Sequence, residues 1–256
     1  MCETCGCLAT QVQDTETVDV LSRLLEANDR TAAHNRHHFD GHGVVAFNIM
    51  SSPGAGKTAL LEATIDAFKA DFRIAVIEGD LETDNDARRI RARGVPAVQI
   101  TTGSACHLDA RMVHEALHEL PLSQFDIVFI ENVGNLVCPA SFDLGQHRNV
   151  VLLSAAEGDD KPAKYPVMFR AADLVLLSKM DLAPLLDDFD AARAEQAIRA
   201  LANAAPVVPL SARKRLNLEP WQAWLRGEIE KIRATQAAAH DAHEAHYEHH
   251  HHPAVA

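Results

Sequence analysis

Positive charge is in short supply. Against 36 acidic residues the chain has only 24 Lys and Arg, a formal net charge of -12. Binding to bare nucleic acid is excluded as a main activity, because it needs a basic surface. A small phosphate ligand is not excluded, since backbone amides can hold it locally. No apolar run reaches the length of a membrane span. The opening MCETCGCLATQVQDTETVD has no basic stretch followed by an apolar one. It does not read as a secretory signal, and the expected location is the cytoplasm. Cysteine is also sparse, five in all, at positions 2, 5, 7, 106 and 138. In a cytoplasmic protein these are thiols rather than disulfides. Three of them crowd the first seven residues, which suits a soft metal better than a disulfide framework.

With 256 residues, 47% hydrophobic, the chain is long enough for one large domain or two small ones. Residues 1–43 read as an arm. Asp14 to Arg30 has the spacing of a short amphipathic helix, and the polar HNRHHFDGHG that follows reads as a solvated linker with some capacity for metal. From Val44 to about residue 235, near-continuous apolar strands alternate with helices: VVAFNIM, RIAVIEGD, FDIVFIENVG, NVVLLSA, ADLVLLSKMDL and APVVPLSA. This is the pattern of an α/β fold with a mainly parallel sheet, about seven strands, covered by helices on both faces. Asn217 to Ala234 reads as a closing helix anchored by Trp221 and Trp224. Residues 236–256 hold seven of the fifteen histidines and read as a disordered, metal-binding tail.

The strongest signal is SSPGAGKT, Ser51 to Thr58, between a strand and a helix. It follows the phosphate-loop pattern, with Ser51 in place of the first glycine. Gly54, Ala55 and Gly56 would wrap backbone amides around phosphate. Lys57 would reach the outer phosphates, and the Thr58 hydroxyl would touch Mg²⁺. Asp80 of IEGD and Glu131 of FIEN lie at strand ends, where carboxylates can hold Mg²⁺ or its waters. Asp80 is preferred over Glu78 for that role. In LLSKMDL, Lys179 can lie along a purine ring and Asp181 can accept from the N1 and N2 groups of guanine. Adenine offers no such donor pair, so GTP is expected over ATP. Ser178 stands where the usual guanine motif has Asn, and Ser211 and Ala212 resemble a second base-contacting loop. No arginine finger or catalytic glutamine is marked, so intrinsic hydrolysis should be slow.

In TTGSACHLDA, Cys106 stands beside His107. On residue type alone the pair is either a core thiol with a neighbour or a metal site. SSPGAGKT, IEGDLETDNDARRI, TTGSACHLDA, FIENVGNLVCPASFDLG, DDKPAKYP and SKMDL occur in this order, and MCETCGC precedes them. Taken together they closely resemble the HypB family of nickel-incorporation GTPases from [NiFe]-hydrogenase maturation, one of the P-loop metallochaperone families. The resemblance covers about Val44 to Leu225. It implies that Cys106, His107 and Cys138 form a G-domain site for Ni²⁺ or Zn²⁺. It also implies that the CxxCGC segment, Cys2, Cys5 and Cys7, is a second site, square-planar with nickel or tetrahedral with zinc. GTP-dependent homodimerisation follows, with a HypA-type nickel/zinc accessory protein and the hydrogenase large-subunit precursor as partners. The alternative is a nickel-storage protein with a weak GTPase domain.

Overall fold

The computed structural model describes the backbone of residues 11–250 and the side chains of residues 22–240. Cys2, Cys5 and Cys7, the expected arm site, lie outside the described residues.

Seven strands form one sheet, and every pair within it is parallel. They are β1 (Val45–Ser51), β2 (Ile74–Asp80), β3 (Ala97–Thr101), β4 (Ile127–Glu131), β5 (Arg148–Ser154), β6 (Leu174–Ser178) and β7 (Val207–Pro209). Their order is β3-β2-β4-β1-β5-β6-β7. β1, β4 and β6 are buried at every position. Such strands have no solvent face, which is why they read as unbroken apolar runs. The chain leaves β1 toward β2 on one side and reaches β5 on the other. The loops at the carboxyl ends therefore converge beside β1, where ligands bind in sheets of this kind.

The helices are α1 (Gln11–Gly41), α2 (Lys57–Phe68), α3 (Asn85–Arg91), α4 (Ala110–Leu117), α5 (Lys161–Lys164), α6 (Pro166–Arg170), α7 (Ala191–Ala200) and α8 (Glu219–His250). One face of the sheet packs on α2, α3 and α8, with Leu61, Ile65, Phe68, Trp221 and Leu225 at its centre. The Trp221 indole donates to Thr64 Oγ1 at 2.9 Å, so the ring is buried with its polar atom satisfied. The other face packs on α1 and α4 around Phe39, Ile77, Val113 and Val128.

Two expectations are corrected. The histidine-rich segment is not a linker but the last two turns of α1. Ala32, Asn35 and Phe39, at helical spacing, form a fully buried face there. Asn35 Nδ2 donates to the Ala110 and Leu144 carbonyls at 2.8 and 3.1 Å, and Arg36 pairs with Asp143 at 3.0 Å. The closing helix likewise does not stop near Ala234. α8 runs on to His250 through a stretch rich in Ala, the strongest helix former. Gln236 ties it to the end of α1, donating to Asp40 Oδ1 at 2.9 Å and the Val44 carbonyl at 3.0 Å.

Candidate functional site

β1 ends at Ser51 and α2 begins at Lys57, so the phosphate loop, Ser51 to Thr58, spans the strand end, the helix start and the five residues between. Gly54 and Gly56 have φ of 74° and 104°, values that side chains oppose. Gly56 precedes α2 without a side-chain cap, which leaves the first amides of the helix free for an anion. Lys57 is buried, and its ammonium lies 3.4 Å from Ser51 Oγ and 4.0 Å from Glu131. Ser51, the departure from the usual loop, thus gives the lysine a resting contact. The Ser51 hydroxyl itself donates to the Ser52 carbonyl at 2.7 Å.

Below the loop sits an acidic trio, Glu78, Asp86 and Glu131, with one carboxylate oxygen of each within 4.8 Å of the others. Glu78 and Glu131 face each other because β2 and β4 pair in that register. Thr58 Oγ1 donates to Glu131 Oε1 at 2.9 Å. The Oε2 atoms of Glu78 and Glu131 are buried and have no hydrogen-bond partner. Burial, then the charge of Glu131, pushes Glu78 up to about 11, and burial raises Glu131 as well. Orphaned, mutually repelling carboxyl oxygens beside a threonine hydroxyl fit a hard divalent cation.

Asp80 is not part of this trio, contrary to expectation. It stands two residues beyond Glu78, past the end of its pairing with β4. Its carboxylate accepts from Thr83 Oγ1 at 2.9 Å and from the Glu82 amide at 3.4 Å, shaping the turn into α3. Sequence reasoning passed over Glu78 and missed Asp86. The second glutamate in register was the available signal for Glu78. Asp86 belongs to IEGDLETDNDARRI, but only the fold of that turn brings it back to β4.

Gly54, Ala55, Gly56, Lys179, Asp181, Ser211 and Ala212 line a single cavity of about 550 Å³. Ser178 donates to the Ala55 carbonyl at 2.7 Å, so this short side chain fastens the base-side loop to the phosphate loop. Lys179 has φ of 55°, a turn that takes the chain out of β6. Ser211 Oγ donates to Asp181 Oδ1 at 2.5 Å, which fixes the carboxylate and leaves its second oxygen for a ligand.

Cys106, His107 and Cys138 also converge, one ligand atom of each within 4.8 Å of the rest. The two sulfurs are 3.2 Å apart, and Cys106 Sγ lies 3.7 Å from His107 Nδ1. The His107 ring stacks on Phe142 at 4.0 Å between centroids. The neighbouring Cys106 thiol, then burial, raises the Cys138 thiol, and burial lowers His107. Two thiols and a neutral imidazole, half open to solvent, suit a borderline-soft ion.

The two sites share a segment. After β4 the chain passes directly under the phosphate loop. The Asn132 amide donates to the Ile49 carbonyl at 3.0 Å and the Asn135 amide to the Ser51 carbonyl at 2.8 Å. A Cβ on Gly134 would meet Pro53 Cα at 2.7 Å, so only glycine allows this approach. The Asn135 side chain then donates to the Cys106 carbonyl at 3.1 Å, three residues before Cys138. One residue therefore touches the phosphate loop through its backbone and the thiol cluster through its side chain.

The profile of the CobW/HypB/UreG nucleotide-binding domain matches residues 45–209. The hydrogenase maturation factor HypB of Azotobacter vinelandii is 51% identical over 216 residues, 84% of this chain and 70% of that one. Its counterpart in Escherichia coli K12 is 46% identical over 220 residues, 86% and 76% of the two chains. Among solved structures, HypB from Helicobacter pylori in complex with nickel superposes with a TM-score of 0.77 at 43% identity, covering 80% of this chain and 96% of that one. The HypB structure from Archaeoglobus fulgidus gives 0.75 at 38% identity, covering 80% and 100%.

Proposed function

Because the chain belongs to the HypB family of hydrogenase maturation factors, we propose that it is a GTP-hydrolysing nickel metallochaperone. In this reading it carries Ni²⁺ on Cys106, His107 and Cys138 toward a [NiFe]-hydrogenase precursor in the cytoplasm. The observation that carries the reading is Asn135, which bonds both to the phosphate loop and to the Cys106 carbonyl. A switch needs an element that both ligands can bias, and residues 132–138 supply one.

The nucleotide lies with its phosphates in the loop from Ser51 to Thr58 and its base in the cavity of Lys179, Asp181, Ser211 and Ala212. Asp181 accepts from guanine N1 and N2. Lys57 leaves Ser51 and Glu131 for the outer phosphates. Thr58, Glu131 and Glu78 would hold Mg²⁺, which when bound neutralises charge on the phosphates. Water attacks the γ-phosphorus, the bond to the β–γ bridging oxygen breaks, and GDP and phosphate result. Loss of the γ-phosphate releases Gly134 and Asn135 from their close seat under Pro53. That movement shifts Cys106 relative to Cys138 and changes how tightly nickel is held.

Three ligands from one chain leave the nickel shell open. A second copy can complete it, since Cys106 is exposed and the neighbouring Val137 presents an apolar surface at 59% exposure. The homodimer is therefore the nucleotide-bound form, and a HypA-type accessory protein acts on it to receive or supply nickel. Zn²⁺ competes for the same thiols.

Asp181→Asn tests the nucleotide assignment. Two hydrogen bonds to a charged group are worth about 1.5–3 kcal/mol each. GTP turnover, measured as kcat/KM, should fall by about 100-fold or more. Xanthosine triphosphate, whose 2-oxo group accepts from an amide, should become the better substrate. Equal use of ATP and GTP by the parent protein would overturn the reading. Turnover that is negligible with either nucleotide, alongside many bound nickel ions, would favour the storage alternative.

A further inference from the structure

We infer that His34, His38 and His114 form a separate transition-metal site that joins α1 to α4. One ring nitrogen of each lies within 4.8 Å of the others. His34 and His38 are four residues apart on α1, and their Nε2 atoms are 3.0 Å apart. Two bonds of about 2.0–2.1 Å to one metal ion span an N···N distance of roughly 2.9–3.4 Å for angles between square and tetrahedral. The α1 pair therefore already has the bite of a chelate. His114 enters from α4, with ring centroids 5.1 Å from His34 and 5.7 Å from His38.

A buried amide sets the tautomer of His114. Asn35 Nδ2 is committed to the Ala110 and Leu144 carbonyls, so its Oδ1 faces His114 Nδ1 at 2.9 Å. Nδ1 must therefore carry the proton, and Nε2 keeps its lone pair. An outer partner of this kind is what orients metal-ligating histidines. His42, which lines a shallow cavity of about 250 Å³ together with His38 and His114, is oriented in a similar way, donating from Nδ1 to the His38 carbonyl at 2.8 Å. Burial and the adjacent imidazoles lower the pKa of both His38 and His114, which favours the neutral, ligating form.

Three imidazoles without a carboxylate select Zn²⁺, Ni²⁺ or Cu²⁺ over Mg²⁺ or Ca²⁺, and they leave a coordination position open. His114 lies on the helix that Cys106 and His107 lead into, and the site shares no residue with the thiol cluster.

The test uses the full chain carrying Cys106→Ser and Cys138→Ser, free of nucleotide, melted in buffered ZnCl₂ and separately in NiCl₂. A site made by two helices exists only in the folded protein and shifts folding by about 100-fold at a metal concentration of 100 Kd. Metal on histidines close together in sequence binds folded and unfolded chains alike and shifts nothing. The expected result is a metal-dependent rise in Tm that is lost in His114→Ala and in His34→Gln/His38→Gln, each of which also binds one ion fewer than the parent of the test. His34 and His38 are not part of the core, so the second variant retains the fold if His114→Ala does not. No rise with either metal, or the same rise in the variants, would overturn the proposal.

Discussion

Glu78 and Glu131 show how a site carries a cost for its chemistry. Each has a buried oxygen without a partner, burial raises the cost of ionising both, and the charge of Glu131 adds to that cost at Glu78. Glu78→Gln removes one buried acid. It should stabilise the nucleotide-free protein by about 1 kcal/mol, a Tm gain of roughly 2–4 °C for a chain of this length. GTP hydrolysis should fall in the same variant, and a scan paired with a turnover assay reads both. Asp126 behaves oppositely. Arg73 holds its carboxylate well below the usual range, with Arg233 assisting. A depressed folded pKa contributes stability above the unfolded value and loses it as pH falls through the folded one. The parent protein should therefore lose stability below about pH 4. Asp126→Asn should show a smaller acid-induced drop in urea midpoint, and an unchanged drop would show that this pair does not matter.

At the scale of elements, the strands and the phosphate loop were legible in sequence because burial on both faces and the glycine spacing leave local patterns. Cys106, His107 and Cys138 were open on residue type alone; the order of the motifs singled them out, and the fold brings them together. Asp80 misled because both IEGD carboxylates project from one face of β2, and only the register with β4 selects Glu78. The last turns of α1 were not legible because their buried face includes a polar residue. Asn35 is satisfied by carbonyls 75 and 109 positions away, which no local window contains. In the proposed mechanism the segment from Asn132 to Cys138 is the element on which function turns. Gly134→Ala forces a Cβ against Pro53. Overpacking of this kind costs about 1–3 kcal/mol. GTP affinity should drop about tenfold or more by titration, with the sheet unaltered by circular dichroism.

For the molecule as a whole, the account is that two chemistries are bound to one sheet edge and share a hinge at Asn135. The rest of the fold serves to hold that edge still. α8 seals one face with Trp221, and α1 seals the other with Phe39. Trp221→Ala should cost about 3–5 kcal/mol of folding free energy, read by urea denaturation, while leaving the thiol cluster's chemistry intact in whatever fraction folds. The most direct measurement of the central claim is a nickel competition titration on the full chain, with Cys106→Ala as the subtracted reference. It is made nucleotide-free, with GDP–Mg²⁺ and with a non-hydrolysable GTP analogue. The account predicts that affinity at the thiol cluster differs about tenfold between the GDP and GTP-analogue states, a coupling of roughly 1.4 kcal/mol. It also predicts that Asn135→Ala abolishes the difference. Equal nickel affinity in all three states would contradict it.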